Sequence, residues 1–553
     1  MAQHEDSNTI NTPLNDQLSV NILEWSDNEQ RVTYMYNKLL RYILLHMPHT
    51  DASKGELFEN IKAFTVHGTP NEQHMSDKFV REYTGPEQAV RWYTVESFLF
   101  RQLNDSLRDQ NIKSLYGMRY FLVDLHQQLQ KLHLNFDRKQ ILYRGVMLRD
   151  DIVDKLRAGR GKLLHFSHFV STSTSEDIAK GFTRAPAGSQ KAVLFSINIG
   201  SNADTIVVHE NPIACIEKLS ERPLEKEVLL APGLIFQLKD VKPLEQSLDA
   251  KKKSFILWKV QLELISDDVD TNLKKLYQSF KEEIYIDERY PTNLANLSKL
   301  LRRLDQFDLA ITFYQKALVD PPLNSDAAYR TTIFTDLSLI YRQKKDYANA
   351  MKELDKAAES AKNIKNLLPF DRPYRIIMSN RAIIYKYMEN FDSACQCLID
   401  TLEMENKAKI GDTQERATTL NNLASLQMSA QRYDDAMQNF HRVLDIQQKV
   451  LPSDHPEIGR TYSNMAACCN CMNSSTEAKE YGNKAEFIKS KSLPSNHQSV
   501  AVTHIELGMA LKNLGQSEQA YGHLEEAAEI LTQRYPRTDP VLQSLEEAKD
   551  SLL

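Results

Sequence analysis

The sequence predicts a multidomain protein in which an α+β unit is followed by an all-α solenoid. Three observations carry that expectation. At 553 residues the chain is too long for a single hydrophobic core. Apolar residues recur first with a helical period and then, after Asp137, in short strand-like runs. From about residue 290 the helical period returns and repeats with a fixed spacing.

Residues 1–20 are polar and aperiodic and are expected to be a disordered arm. Helices are expected from Asn21 to about His133. Val32, Met35, Tyr36, Leu39, Leu40 and Ile43 make one stripe at spacings of three and four. Trp92, Val95, Phe98, Leu99, Leu103 and Leu107 make a second, and Tyr120, Leu122, Val123, Leu125, Leu129 and Leu132 a third. Strands are expected at residues 140–148, 163–171, 191–199, 227–230, 234–241 and 253–265, with helices at 150–158 and near 175–182. The domain limits that follow are 21–268 for the α+β unit with its helical N-terminal part, 269–289 for a linker helix, and 290–553 for the solenoid.

The solenoid shows itself through small residues. Ala382, Ala424, Ala466 and Gly508 are spaced by 42, as are Ala394, Ala436, Ala478 and Ala520. Ser298 with Ala310, and Ser338 with Ala350, open two earlier units, giving about six. In each unit a small residue on one helix precedes an alanine on the next by twelve, and helices cross closely only where side chains are small. This spacing resembles the tetratricopeptide repeat in its longer, kinesin-light-chain-like form. Arg381 in place of a leucine and Gly482 in place of an aromatic depart from the pattern. The resemblance implies that a peptide or protein partner docks on a concave face. A structural spacer or an oligomerisation surface is the alternative.

A net charge of -6 argues against nucleic acid or an anionic membrane as an obligatory partner. The six cysteines are sparse and clustered, unlike a secreted disulfide framework, and they read as small core residues rather than metal ligands. The N-terminus lacks the basic and apolar regions of a signal peptide, and no run of apolar residues is long enough to span a bilayer. A cytoplasmic location is expected. Gly161-Lys162 is not a Walker loop because position 156 is Leu, and no Gly-rich dinucleotide fingerprint follows a strand.

Three stations in the α+β part carry chemistry. They are Tyr143-Arg144-Gly145, Ser171-Thr172-Ser173 and Glu225-Lys226-Glu227. Each has a plain reading: a strand arginine in an ion pair, a helix cap completed by Glu176, a solvated strand edge. If Glu225 and Glu227 lie in a strand, they share one face. With Ala179, Phe182 and the strand that follows, the constellation closely resembles the arginine-specific mono-ADP-ribosyltransferases of the R-S-E class, over about residues 85–265. The resemblance implies that family's α+β fold, a helical N-terminal lobe with a mixed β-sandwich core. Trp92, Tyr93, Asn104 and Arg108 are similar to the lobe.

The resemblance also implies roles. NAD is the co-substrate, and its nicotinamide–ribose bond breaks through an oxocarbenium-like state. Arg144, Gly145, Ser171, Thr172, Ser173 and Phe182 hold it: Arg144 contacts the pyrophosphate or ribose edge, the Gly145 main chain the nicotinamide amide, and Phe182 the nicotinamide ring. Ser171 positions Glu227, the main catalytic residue, and Glu225 orients an arginine acceptor. The loop Ile213–Leu224 is the expected acceptor loop, and it lacks an aromatic. Glu217 and Glu221 in it could attract a cationic acceptor. The expected activity is NAD-dependent mono-ADP-ribosylation of protein arginine without a metal. A catalytically weak NAD-binding scaffold and an NAD glycohydrolase are the alternatives.

Overall fold

The computed structural model describes residues 20–23, 28–95, 98–133, 140–183, 188–200, 211–248, 254–265, 277–278, 281, 292–321, 323–364, 371–493, 495, 497–532 and 540–552. The expected N-terminal arm lies outside these apart from Val20, and so does the expected linker helix apart from residues 277–278 and 281. Two compact units divide at Phe313/Tyr314. The fold class is the one expected: a mixed α+β unit and an all-α repeat array.

In the first unit, strand β1 (Val20–Leu23) precedes seven helices: α1 (Asn28–His46), α2 (Asp51–Thr65), α3 (Pro70–Glu82), α4 (Ala89–Thr94), α5 (Phe98–Arg108), α6 (Ile112–Gly117) and α7 (Arg119–His133). Local chemistry starts α2 and α3. Thr50 with Ser53 and Thr69 with Glu72 form reciprocal capping boxes, and Pro70 stands in the first turn of α3. Strand β1 was not expected, because Val20–Leu23 has too few residues to declare a period.

The remaining elements are β2 (Ile141–Arg149), α8 (Asp150–Ala158), β3 (Leu163–Phe166), β4 (Val170–Ser173), α9 (Glu176–Gly181), β5 (Gln190–Asn198), β6 (Ile213–Cys215), β7 (Glu227–Leu230), β8 (Ile235–Leu248) and β9 (Ser254–Ile265). Hydrogen bonds link the nine strands in the order β1-β3-β8-β9-β5-β2-β4-β7-β6, antiparallel except for β5 beside β9. The single strand expected at 163–171 is two, β3 and β4, which join different parts of the sheet. One face buries Leu142, Val146, Phe195, Val228, Phe236 and Leu262 against Val153 and Leu156 of α8. On another, Ala179 of α9 packs with Tyr143, Met147, Ala192 and Leu194.

The repeats are helix pairs. The first is α10 (Leu294–Arg303) with α11 (Phe307–Ala317). Then come α12 (Ala327–Gln343) with α13 (Tyr347–Ala361), α14 (Arg372–Tyr387) with α15 (Phe391–Lys407), and α16 (Gln414–Ser429) with α17 (Tyr433–Val450). The last two are α18 (Pro456–Cys471) with α19 (Ser475–Ser492), and α20 (Gln498–Asn513) with α21 (Ser517–Thr532), followed by α22 (Pro540–Asp550). The small residues at the crossings are buried: Ala382, Ala394, Ala424, Ala436, Ala466, Ala478 and Ala520 are at most 1% exposed. A Cβ on Gly508 would stand 2.6 Å from Leu524 Cδ2, so the crossing of α20 and α21 requires its absence.

Both departures from the repeat pattern are accommodated. Arg381 is not forced inward; it pairs with Asp355 on α13. Gly482 of α19 makes room for Leu507 of α20, whose Cδ2 would lie 2.5 Å from an added Cβ. The cysteines are all free thiols. Cys395 and Cys397 pack with Leu398, Leu402 and Leu420. Burial pushes the Cys468 thiol up to about 12 and that of Cys469 to about 11, so neither offers a ready thiolate. Among the described residues no helix is long and apolar enough to cross a membrane.

Restoring the missing aromatic should therefore harm the array. Gly482→Tyr is expected to lower the unfolding free energy by about 1–3 kcal/mol through overpacking against Leu507. Urea unfolding of the full chain measures it, and an unchanged midpoint would contradict the packing described.

Candidate active site

Strand β4 runs between β2 and β7, and that adjacency assembles the three stations. Tyr143 pairs with Ser173, and Ser173 pairs in turn with Glu227. Partners across a ladder share a face, as do residues two apart, so Ser171, Ser173 and Glu227 lie on one side of the sheet. The Arg144 guanidinium donates to the Ser171 carbonyl at 2.6 Å, tying the first station to the second.

Glu227 is 8% exposed at the start of β7. Two hydroxyls hold its carboxylate: Ser171 by a side-chain hydrogen bond, and Ser220 at 3.3 Å. Burial pushes its pKa up, and the neighbouring charge of Glu225 pushes the same way; the two hydroxyls and the Arg144 charge pull it back. The outcome is a carboxyl above the usual range. Ser220 had no place in the expected site. It lies in an irregular loop with no motif around it, and only the fold brings it to Glu227.

Glu225 is not on the strand. Pro223–Glu225 is a 3₁₀ turn and Lys226 has φ 49°, a left-handed residue, before β7 begins at Glu227. The two-residue spacing therefore does not align the carboxylates through strand alternation. A turn, set by Pro223 at its start and a left-handed Lys226 at its end, does the placing. Ser173 fixes that turn, its hydroxyl donating to the Glu225 carbonyl at 2.7 Å while accepting from the Ser175 amide. The Thr172 hydroxyl donates to the Val228 carbonyl at 2.7 Å. Both hydroxyl protons are engaged with the segment that carries the carboxylates. The helix-cap reading of these residues does not hold: Ser175 is the N-cap of α9, without a side-chain bond.

Gly145 is required by the fold itself. A Cβ there would collide with the Ala179 carbonyl oxygen of α9. That close approach sets α9 down on β2, and the helix ends at Phe182, whose ring is 37% exposed. An exposed phenyl ring at the end of α9 offers a stacking surface for a flat heteroaromatic.

The helical lobe reaches the site through Asn104. Its amide donates to the Tyr93 hydroxyl at 2.9 Å, and its carbonyl accepts from the Phe169 amide at 3.1 Å, anchoring the entry to β4. Trp92 packs edge-on against Phe79, and Arg108 pairs with Asp105, so these two serve the lobe. In the loop before the carboxylates, Arg91 of α4 meets Glu221 at 2.7 Å, and Thr94 accepts from the Glu221 amide. Glu221 is thus matched with a local cation. Arg222 stands 3.4 Å from Glu225.

Comparison with known proteins describes the two parts of the chain at the level of family. A profile described as NAD:arginine ADP-ribosyltransferase matches residues 85–252. Tetratricopeptide-repeat profiles match residues 292–318, 332–364 and 415–488. The chain thus carries an ADP-ribosyltransferase family domain followed by tetratricopeptide-type repeats, and the former implies NAD binding. Among solved structures, BtubC (BKLC) from P. vanneervenii is 16% identical over 42% of this chain and 92% of its own, with a TM-score of 0.36. A Podosopora anserina kinesin-light-chain candidate with nearly identical TPR-like repeats is 23% identical over 37% and 98%, with a TM-score of 0.32. Pseudomonas aeruginosa pilF is 18% identical over 41% and 90%, with a TM-score of 0.28. Comparison with curated proteins returns no match.

The raised pKa of Glu227 has consequences for stability. The folded state binds the Glu227 proton more tightly than the unfolded state. Ionising the residue therefore destabilises the fold progressively as pH rises from the unfolded value through the folded one, and the penalty is complete only above the folded value. Glu227→Gln removes it, so at pH 7.5 the variant is expected to melt at or above the wild-type temperature. A clear drop measured by calorimetry would contradict the assignment.

Proposed function

We propose that the first unit transfers ADP-ribose from NAD to arginine side chains of target proteins, releasing nicotinamide, and that the repeat array docks partners. The reading is carried by one observation: a buried Glu227 carboxylate held by two serine hydroxyls beside Arg144. A carboxylate fixed in a site of low water content stabilises a developing cation more strongly than it could in bulk water.

In the proposed reaction, the bond between ribose C1′ and the nicotinamide nitrogen breaks. Its electron pair leaves with the nitrogen and neutralises the pyridinium. Positive charge develops on the ribose, and Glu227, bonded to the 2′-hydroxyl, stabilises it. Arg144 supplies a permanent planar cation for the pyrophosphate or the ribose edge, and the Phe182 ring stacks on nicotinamide. Glu225, 28% exposed at its side chain, orients the acceptor guanidinium and takes its proton as the new C1′–N bond forms. A guanidinium has a pKa above about 12, so it attacks only with such help. Ser173 supports the turn that carries Glu225 and Thr172 the strand that carries Glu227, and Gly145 keeps the main chain and α9 in place. The proposed protein is a cytoplasmic enzyme that needs no metal for this step.

Labelled NAD with an arginine-like acceptor tests the reading. Glu227→Gln should reduce both nicotinamide release and acceptor labelling by about 100-fold or more. Glu225→Gln should suppress labelling while sparing nicotinamide release in the absence of acceptor. Labelling retained by Glu227→Gln would remove it from the mechanism; equal loss of both readouts in Glu225→Gln would end the division of labour. Wild-type nicotinamide release that no guanidino compound redirects would mark a glycohydrolase.

The acid limb of activity should also reflect Glu227. Its ionised form is the active one and its pKa is raised, so activity should fail on acidification at a pH above the ordinary glutamate range. Ser220→Ala removes a bond to the charged form and should move that limb higher still. A limb that does not move would separate Ser220 from the catalytic carboxylate.

A further inference from the structure

The last two repeats carry between them a cluster unconnected with the transferase chemistry. Glu486 on α19, His504 on α20 and His523 on α21 present one ligand atom each, all within 4.8 Å of one another. The Nδ1 atoms of His504 and His523 face each other at 3.0 Å, and Glu486 Oε1 is 3.8 Å from His504 Nδ1. On its far side, His504 Nε2 lies 3.2 Å from Glu526 Oε2. We propose that His504, His523 and Glu486 bind a divalent transition-metal ion, with zinc the best fit, and that Glu526 orients His504 from behind.

The donor set suits that ion. Two imidazole nitrogens and one carboxylate oxygen make a three-ligand tetrahedral site whose fourth position is left for water. With metal–nitrogen bonds of about 2.0–2.1 Å, two nitrogens of a tetrahedral site stand about 3.3 Å apart. The observed Nδ1 separation is close to this. Calcium and magnesium want oxygen, and a copper(I) site wants sulfur, so neither matches two imidazoles.

Glu526 supplies a second, independent indication. A carboxylate at Nε2 puts the proton of His504 there and leaves Nδ1 with a lone pair aimed at the cluster. Metal-bound histidines usually carry such a partner. His504 is 7% exposed at its side chain, so its ring is shielded from bulk water. Without an ion, a single proton shared between the two Nδ1 atoms accounts for their approach. A metal would take that proton's place and add Glu486. Because the ligands come from three successive helices, the ion would fasten the last helix pair to α19 before it.

Zinc titration of the chelator-stripped full chain against a chromophoric chelator tests this. One tight equivalent is expected, with a rise in melting temperature on adding zinc. Glu486→Gln and His523→Gln sit at half-buried positions and leave the helices intact, as far-UV circular dichroism should verify. Each should weaken binding at least tenfold, and together they should abolish both binding and the thermal shift. Glu526→Gln should weaken affinity about 10–100-fold with the stoichiometry unchanged. Cobalt in the same site should give a tetrahedral visible spectrum without a thiolate charge-transfer band. Any of three results overturns the proposal: no bound equivalent, zinc binding unchanged in the double variant, or a thiolate band that puts the ion on the cysteines.

Discussion

A buried, ionisable carboxylate is the constraint on which the first unit turns. Glu227 is almost fully covered, and an uncompensated charge there would be costly. The fold answers with hydroxyls from two different segments and a guanidinium from a third. Each compensating group in turn needs a fixed position. Ser171 gets its position from the β4–β7 ladder, Ser220 from a loop tied to α4 through Glu221, and Arg144 from the Ser171 carbonyl. Without the ladder, Ser171, and with it Arg144, loses its reference point. The compensation is incomplete, since the pKa stays raised; in the proposed reaction a substrate-derived cation would relieve that unfavourable energy.

Much of this was legible in the sequence. Strand period and station order placed Arg144, Ser171 and Glu227 correctly on β2, β4 and β7. The forty-two-residue alanine spacing located the helix crossings to the residue. What the sequence hid were relations made by the fold. Val20–Leu23 becomes a strand through its pairing with Leu163–Phe166, a partner some 140 residues away. Ser220 and Asn104 carry no motif; their value comes from what lies opposite. Turn conformation was hidden as well. Asp305, Lys345, Glu389, Gln431 and Asn473 all have φ between 55° and 61° at equivalent positions of successive repeats, yet Lys345, Glu389 and Gln431 are not residue types that announce a left-handed turn, as Gly515 in the sixth does. Lys226 is another such case, and there the hidden turn decides where Glu225 goes.

The proposed metal ligands escaped the sequence reading for a related reason. Glu486, His504 and His523 are separated by 18 and 19 residues, and no short helical motif spans such gaps. Two imidazoles and a carboxylate meet because three consecutive helices of a solenoid present them at one level. The cysteines, more conspicuous as a sequence cluster, are instead buried among leucines and methionines or left exposed singly. In a repeat array, register across helices governs which side chains meet, and adjacency along one helix governs little beyond its own stripe.

The acceptor side of the proposed active site is built differently from the NAD side. Glu227 is buried and over-determined, while Glu225 sits in an exposed turn with Arg222 as its cation. An exposed ion pair of this kind contributes only about 0–1 kcal/mol, because water competes for both partners. An incoming arginine would replace a guanidinium with a guanidinium at almost no electrostatic cost, and selection of a target would then have to come from contacts outside the pair. The loop offers no aromatic to provide them, and Glu221 is already matched by Arg91. In the proposed reaction this arrangement would recognise an arginine but not which arginine. A protein-docking surface elsewhere in the same chain is the kind of part such a site requires, and the repeat array has the architecture to be one.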